Sequence, residues 1–77
     1  MDWEYQKEIL IGALDARTKE VVDYQININN FRLAIERIGD DPELHDFKTS
    51  LQDLLASSLL EQRKAQIMLE VIQSQLE

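Results

Sequence analysis

An apolar repeat with alternating steps of three and four residues runs along most of this 77-residue chain and breaks once, at Gly39-Asp40-Asp41-Pro42. Such spacing places its members on one face of a helix, as in coiled coils. Two such helices joined by a tight turn form an αα-hairpin, so we predict an all-α fold of two long antiparallel helices. The predicted members are Trp3, Leu10, Leu14, Val21, Tyr24, Ile28, Phe31, Ile35 and Ile38 before the break, with Lys7 and Arg17 in two further positions, and Leu44, Phe47, Leu51, Leu55, Ala65, Leu69, Ile72 and Leu76 after it.

Capping residues indicate where the helices begin and end. Asp2 is a favourable N-cap, and Gly39 can supply the left-handed residue that ends many helices. Asp41 can cap the second helix, and Pro42 suits its first position because that residue needs no N–H donor. We therefore expect a single domain over 1–77, with helices over about 2–38 and 42–76 and a turn over 39–41.

The segment Asn27-Ile28-Asn29-Asn30 is the weakest part of the first helix, because asparagine side chains compete for backbone hydrogen bonds. The apolar repeat passes through it unbroken, which favours a continuous helix. A kink or break here, giving three helices, is the alternative.

In an antiparallel hairpin turning near Asp40, residues whose numbers add up to about 81 lie side by side. Arg17 then lies near Glu61, and the two can form a partly buried ion pair that fixes the register. The aromatic residues Tyr24, Phe31 and Phe47 fall in the repeat and are expected in the core. Trp3 and Tyr5 near the helix end either cap the bundle or anchor a partner.

Apolar residues also occur outside the repeat, and a two-helix chain of this size cannot bury them by itself. Exposed apolar patches mark interfaces, so we expect pairing into a four-helix-bundle homodimer, or docking of the spare face on a different protein. Gly12 and Ala16 either allow another helix to approach closely or are simply tolerated. The candidate interface residues are Tyr5, Ile9, Gly12, Ala16, Ile26, Leu33, Leu60, Ile67 and Val71.

Composition limits the partners. With 15 acidic and 8 basic residues the chain carries a formal charge of −7, which disfavours nucleic-acid phosphates and anionic lipid. There is no cysteine and no apolar run long enough to span a bilayer. We expect a cytoplasmic protein, in the host cytoplasm if the gene belongs to a phage, without membrane contact.

No catalytic, cofactor-binding or metal motif stands out, so we expect no enzymatic activity and no cofactor. His45 is the only histidine, and a metal or acid–base role would need further ligands or a partner base. A solvated surface histidine is therefore expected.

Basic residues at mid-height form the one unusual charge cluster: Arg17, Lys19, Arg63 and Lys64. They could make a belt that holds an anion or a phosphate backbone. Acidic neighbours such as Asp15, Glu20 and Glu61 favour a salt-bridge network instead.

In size and architecture the predicted hairpin resembles the plasmid RNA-binding hairpin dimer and the small helical chaperones of secretion systems, although no residue motif carries the likeness. The leading hypothesis is a non-enzymatic, self-associating module that docks on, sequesters or inhibits a partner protein, as phage-type inhibitors, assembly adaptors and small chaperones do. An acidic nucleic-acid mimic is the alternative, and RNA or DNA binding through the basic belt is a weaker one.

Overall fold

Two long helices account for nearly all of residues 2–77, which the computed structural model describes. Helix α1 spans Trp3–Ile38 and helix α2 spans His45–Leu76, with a short 3-10 helix at Pro42–Leu44 between them. The described part of the chain contains no strand, so the predicted all-α hairpin is confirmed. The Cα atoms extend over 62 × 15 × 14 Å, which makes the hairpin a long, thin rod.

The first helix begins at a side-chain cap. The carboxylate Oδ1 of Asp2 accepts a hydrogen bond of 3.0 Å from the backbone N–H of Glu4. This bond satisfies one of the donors left without an intrahelical partner in the first turn. Glu4 at this end and Arg37 at the other end both complement the helix dipole.

Gly39 ends α1 with a positive φ, as expected, but in a different conformation from the left-handed cap. Its φ is 59° and its ψ is −129°, and the N–H of Asp41 donates to the carbonyl of Ile38 over 3.3 Å. Those angles match the first central position of a type II′ turn, where a residue with a side chain is strained. The reversal of the chain therefore depends on glycine at this position.

Asp41 and Pro42 start the return of the chain, but through a 3-10 turn rather than directly as α-helix. Oδ1 of Asp41 accepts from the N–H of Glu43 at 3.0 Å, and Pro42 is the first residue of the 3-10 helix. Because this turn occupies three residues, α2 begins at His45 instead of near residue 42.

The asparagine-rich segment does not interrupt α1, which continues through it for a total of 36 residues. Asn27, Asn29 and Asn30 are exposed, so water meets most of their hydrogen-bonding needs, while Oδ1 of Asn29 accepts from Gln25 Nε2 at 3.0 Å. Ile28 between them is only 1% exposed. Its burial holds this part of the helix against the partner helix, and the three-helix alternative is not formed.

The apolar seam, defined as the half-buried or buried stripe between α1 and α2, follows most of the predicted repeat. Four predicted members were wrong, because they are exposed. Trp3, Leu44 and Phe47 are 48, 40 and 54% exposed, and Lys7 is exposed as well. Lys48, which the repeat did not include, is half-buried. The buried members are Ile28, Leu51, Ala65 and Ile72.

Lys48 replaces Phe47 at the start of the seam because its ammonium has a partner in the turn. Its Nζ donates to the carbonyl oxygen of Gly39 at 2.6 Å. The aliphatic part of a lysine can lie along an apolar surface while its charged end is satisfied elsewhere. This hydrogen bond links α2 to the residue that ends α1.

The predicted ion pair between Arg17 and Glu61 is not formed. Each of these residues pairs within its own helix, and the polar link between the helices is made by Gln62 instead. Its Nε2 donates to the backbone oxygen of Val21 at 3.2 Å and to Oε1 of Gln25 at 2.9 Å. Residue 62, expected beside residue 19, therefore lies beside residues 21–25.

Candidate interaction surfaces

Large hydrophobic side chains on the surface outnumber those in the core. Within residues 2–77, four hydrophobic residues are buried and fourteen large ones are exposed. Isolated exposed hydrophobic residues are normal, but this many on a chain of this size leave unusual apolar area in water. The exposed ones are Trp3, Tyr5, Ile9, Ile11, Val22, Ile26, Leu33, Leu44, Phe47, Leu54, Leu60, Ile67, Met68 and Val71.

All nine candidate interface residues from the sequence lie on the surface, but on two edges rather than one face. Ile26, for example, is two residues from both Tyr24 and Ile28, so it points away from the seam. The outer edge of α1 carries Tyr5, Ile9, Gly12, Ala16, Ile26 and Leu33. The outer edge of α2 carries Leu60, Ile67 and Val71.

Gly12 is not required by the packing of the hairpin itself. A Cβ built on this residue would meet nothing within 4 Å, and its φ is not positive. The glycine therefore leaves open space on the outer edge of α1. Only another molecule could fill that space.

Besides its two edges, the rod has two broad faces on either side of the seam. Gln6 and Gln75 line a groove together with Ile9, whereas Gln25 and Gln66 line a different groove. Residues seven apart on coiled-coil helices share a face. The residues spaced by seven from Gln6 and Gln75 therefore define one face of the rod, and those spaced by seven from Gln25 and Gln66 define the other.

One broad face, here called the apolar face, carries two alanines on α1 and three large apolar residues on α2, interspersed with polar ones. Its rows are Gln6, Ala13, Glu20, Asn27 and Ala34 on α1, and Phe47, Leu54, Glu61, Met68 and Gln75 on α2. The repeat of seven residues was visible in the sequence. The sequence prediction assigns Phe47, the first member of the α2 row, to the core, and so does not identify this row as a surface.

The opposite broad face, here called the acidic face, is mostly polar. Its rows are Glu4, Ile11, Thr18, Gln25 and Arg32 on α1, and His45, Gln52, Leu59, Gln66 and Gln73 on α2. Exposed carboxylates flank these rows at Glu8, Asp15, Glu36 and Glu70. The two faces of the rod therefore differ in chemistry.

Acidic neighbours on the same helix pair with most of the predicted basic belt. Arg17 contacts Glu20 at 3.0 Å, and Lys19 contacts Asp15 at 3.2 Å. On α2, Lys64 contacts Glu61 at 3.0 Å, while Arg63 lies in the groove of the acidic face. These pairs reduce the positive field that a phosphate backbone would need.

The single histidine lies at the turn, on the surface of the hairpin. His45 is exposed and lines an open groove at the turn together with Asp41 and Lys48. Within residues 2–77, His, Asp and Glu side chains do not gather in threes at a distance suited to a metal ion. In the same stretch, neither helix combines the length and the hydropathy needed to cross a membrane.

No protein-family model, curated protein or solved structure matches the chain.

Proposed function

We propose that this chain is a non-enzymatic protein-interaction module: a self-associating helical hairpin that docks on, sequesters or inhibits a partner protein. The observation that carries the proposal is the excess of exposed over buried large hydrophobic side chains. An inhibitor, an assembly adaptor and a small chaperone all work by covering apolar surface on another polypeptide, and these are the roles that we propose.

The energy of burial supports this proposal. Transferring one Leu, Ile or Phe side chain from water to a protein interior is worth about 1.5–3 kcal/mol. A single pair of helices buries few such residues, and chains of this size are only marginally stable on one core. Association would bury the apolar face and the outer edges, and so add stability that the hairpin lacks.

Partner docking through the outer edge of α2 is tested with two variants that add one carboxylate each. Ile67→Glu changes an apolar residue that is 58% exposed, and Gln73→Glu changes an exposed polar residue on the acidic face. Because both side chains face water, neither variant should disturb the hairpin, which circular dichroism can verify.

We expect a tagged native chain and the Gln73→Glu variant to retain the same protein from a lysate, and Ile67→Glu to lose it. The retained protein, once purified, should bind the native chain directly and bind Ile67→Glu at least about tenfold more weakly, which corresponds to one buried apolar side chain. Equal binding to all three chains would contradict docking through this edge.

The acidic face favours one alternative, a mimic of nucleic acid that occupies a basic protein surface. Its carboxylates Glu8, Glu36 and Glu70 are exposed, and none of them joins an ion pair within residues 2–77. Binding by such a mimic weakens steeply as salt rises, because exposed charges are screened. Affinity for a basic partner that stays constant between 50 and 300 mM salt, a range over which the Debye length falls from about 14 to about 6 Å, would exclude it.

A further inference from the structure

We infer that the apolar face binds a second copy of this chain, with the turns of both hairpins at the same end of the resulting four-helix bundle. The inference rests on the proposed association through apolar surfaces. It specifies which face is used, which molecule covers that face, and how the two copies are oriented.

Burying the apolar face costs less electrostatic free energy than burying the acidic face. The two rows that define it contain two carboxylates, Glu20 and Glu61, and each is paired at 3.0 Å with a cation of its own helix. Paired charges lose less on desolvation than isolated ones. With the flanking rows counted on both sides, exposed carboxylates without an ion pair are more numerous at the acidic face. Asp23 flanks the apolar face, whereas the acidic face has Glu4 in its own row and is flanked by Glu8, Glu36 and Glu70. The acidic face is therefore the one left in water.

The apolar side chains on this face are complementary in size to those of a second copy. Its α1 row carries Ala13 and Ala34, which are half-buried, and Ala16 lies in the neighbouring row. The α2 row carries Phe47, Leu54 and Met68, which are 54, 51 and 48% exposed. Large residues of one copy can pack over the alanines of the other, and this filling of space is what a well-packed core requires.

The broad side of the hairpin is as large as a standard protein–protein interface. A strip of 62 by 15 Å covers roughly 900 Å² measured between Cα atoms, which is close to the ~800 Å² per partner of a standard interface. A homodimer uses the same patch on both copies, so no other molecule is needed to complete the interface.

The arrangement of small and large residues also decides the orientation. Two hairpins can stack face to face about a two-fold axis that runs either along the rod or across it. An axis along the rod places α1 of one copy over α2 of the other, so alanines meet Phe47, Leu54 and Met68. An axis across the rod places α2 over α2 and α1 over α1, which crowds the large side chains and leaves a gap between the alanines.

The distance between the two turns distinguishes the two orientations. The chain has no cysteine, so Asp40→Cys in the exposed turn creates a single labelling site for a spin label on the full chain. With both turns at one end, the labels lie within about two helix diameters, roughly 20–25 Å. With the turns at opposite ends, they are separated by about the 62 Å length of the hairpin.

Two carboxylate variants, only two residues apart on α2, test the face. Leu54→Glu places a charge on the apolar face, and Gln52→Glu places the same charge on the acidic face. Leu54→Glu should weaken dimerisation by roughly a hundredfold or more, because two leucines are removed from each dimer. Gln52→Glu should leave the dissociation constant within about a factor of two, as expected of surface changes away from an interface.

Each outcome is decisive. A dimer with a short label distance, lost in Leu54→Glu and kept in Gln52→Glu, supports the inference. A dimer with a label distance near 60 Å overturns the orientation, and a dimer that survives Leu54→Glu overturns the face, while partner docking through the outer edge of α2 stands in both cases. A native chain that remains monomeric, with or without a docked partner, overturns the inference, and the Ile67→Glu comparison then decides separately whether docking on another protein remains.

Discussion

Ile28 is the residue on which the packing of the two helices depends most. It is 1% exposed, the lowest value in the described chain, and it lies in the middle of three asparagines with weak helix propensity. Local preference is unfavourable over this segment, and burial of one side chain overrides it. Ile26, two residues away on the same helix, is 52% exposed and serves as its natural control.

Replacing each isoleucine by valine removes one methylene group from a different environment. We expect Ile28→Val to lower the free energy of unfolding by about 0.5–1.5 kcal/mol, since the cavity cannot be filled by water. Ile26→Val should change the free energy of unfolding by less than about 0.5 kcal/mol in the hairpin alone, because that side chain is already half exposed to solvent. Urea denaturation followed by circular dichroism measures both, and equal losses would show that Ile28 has no special place in the core.

At the scale of the elements, the same substitution should have opposite effects in a helix and in the turn. Gly39 has a φ of 59°, which a side chain tolerates poorly, so Gly39→Ala should destabilise the hairpin by about 1–3 kcal/mol. Gly12 lies in α1 with open space around it, so Gly12→Ala should stabilise the helix by up to about 1 kcal/mol.

Thermal unfolding of both alanine variants at one low concentration checks this pair. A stabilising effect at Gly39 would contradict the type II′ turn. If Gly12→Ala stabilises the hairpin but weakens binding of a partner, the glycine provides room for another helix. If it stabilises the hairpin and binding is unchanged, the glycine is merely tolerated.

The elements also show how far the sequence predicts this fold. The repeat of three and four residues identified both helices and most of the seam, because burial follows helical periodicity. It failed at Phe47, where the pattern alone favoured an aromatic residue over Lys48 as a core position. The hydrogen bond from Lys48 to the carbonyl of Gly39 depends on the geometry of the turn, which no periodicity contains.

The candidate surfaces were predictable only in part. All nine candidate interface residues that the sequence placed outside the repeat, among them Ile26 and Ile67, are exposed. Their separation onto two outer edges depends on how the helices face each other, and a list of apolar positions does not contain this information. The pairing of Arg17 with Glu20 rather than Glu61 has a similar cause, since a partner one turn away on the same helix is always within reach.

For the whole molecule, stability should depend on concentration. The described hairpin buries four hydrophobic residues, a small core even for a chain of this length. If association covers the apolar face, unfolding is linked to dissociation, and the melting temperature rises with protein concentration. We expect a measurable rise over a hundredfold increase in concentration for the native chain, and a smaller rise for Leu54→Glu.

This hairpin exposes more apolar surface than it can keep in water, and we propose that it shares this surface with another polypeptide. Sedimentation equilibrium of the native chain at micromolar concentration measures whether it does. We expect a mass of twice 9.0 kDa or a larger multiple of it. A monodisperse species of 9.0 kDa that melts cooperatively at high temperature, independently of its concentration, would contradict it.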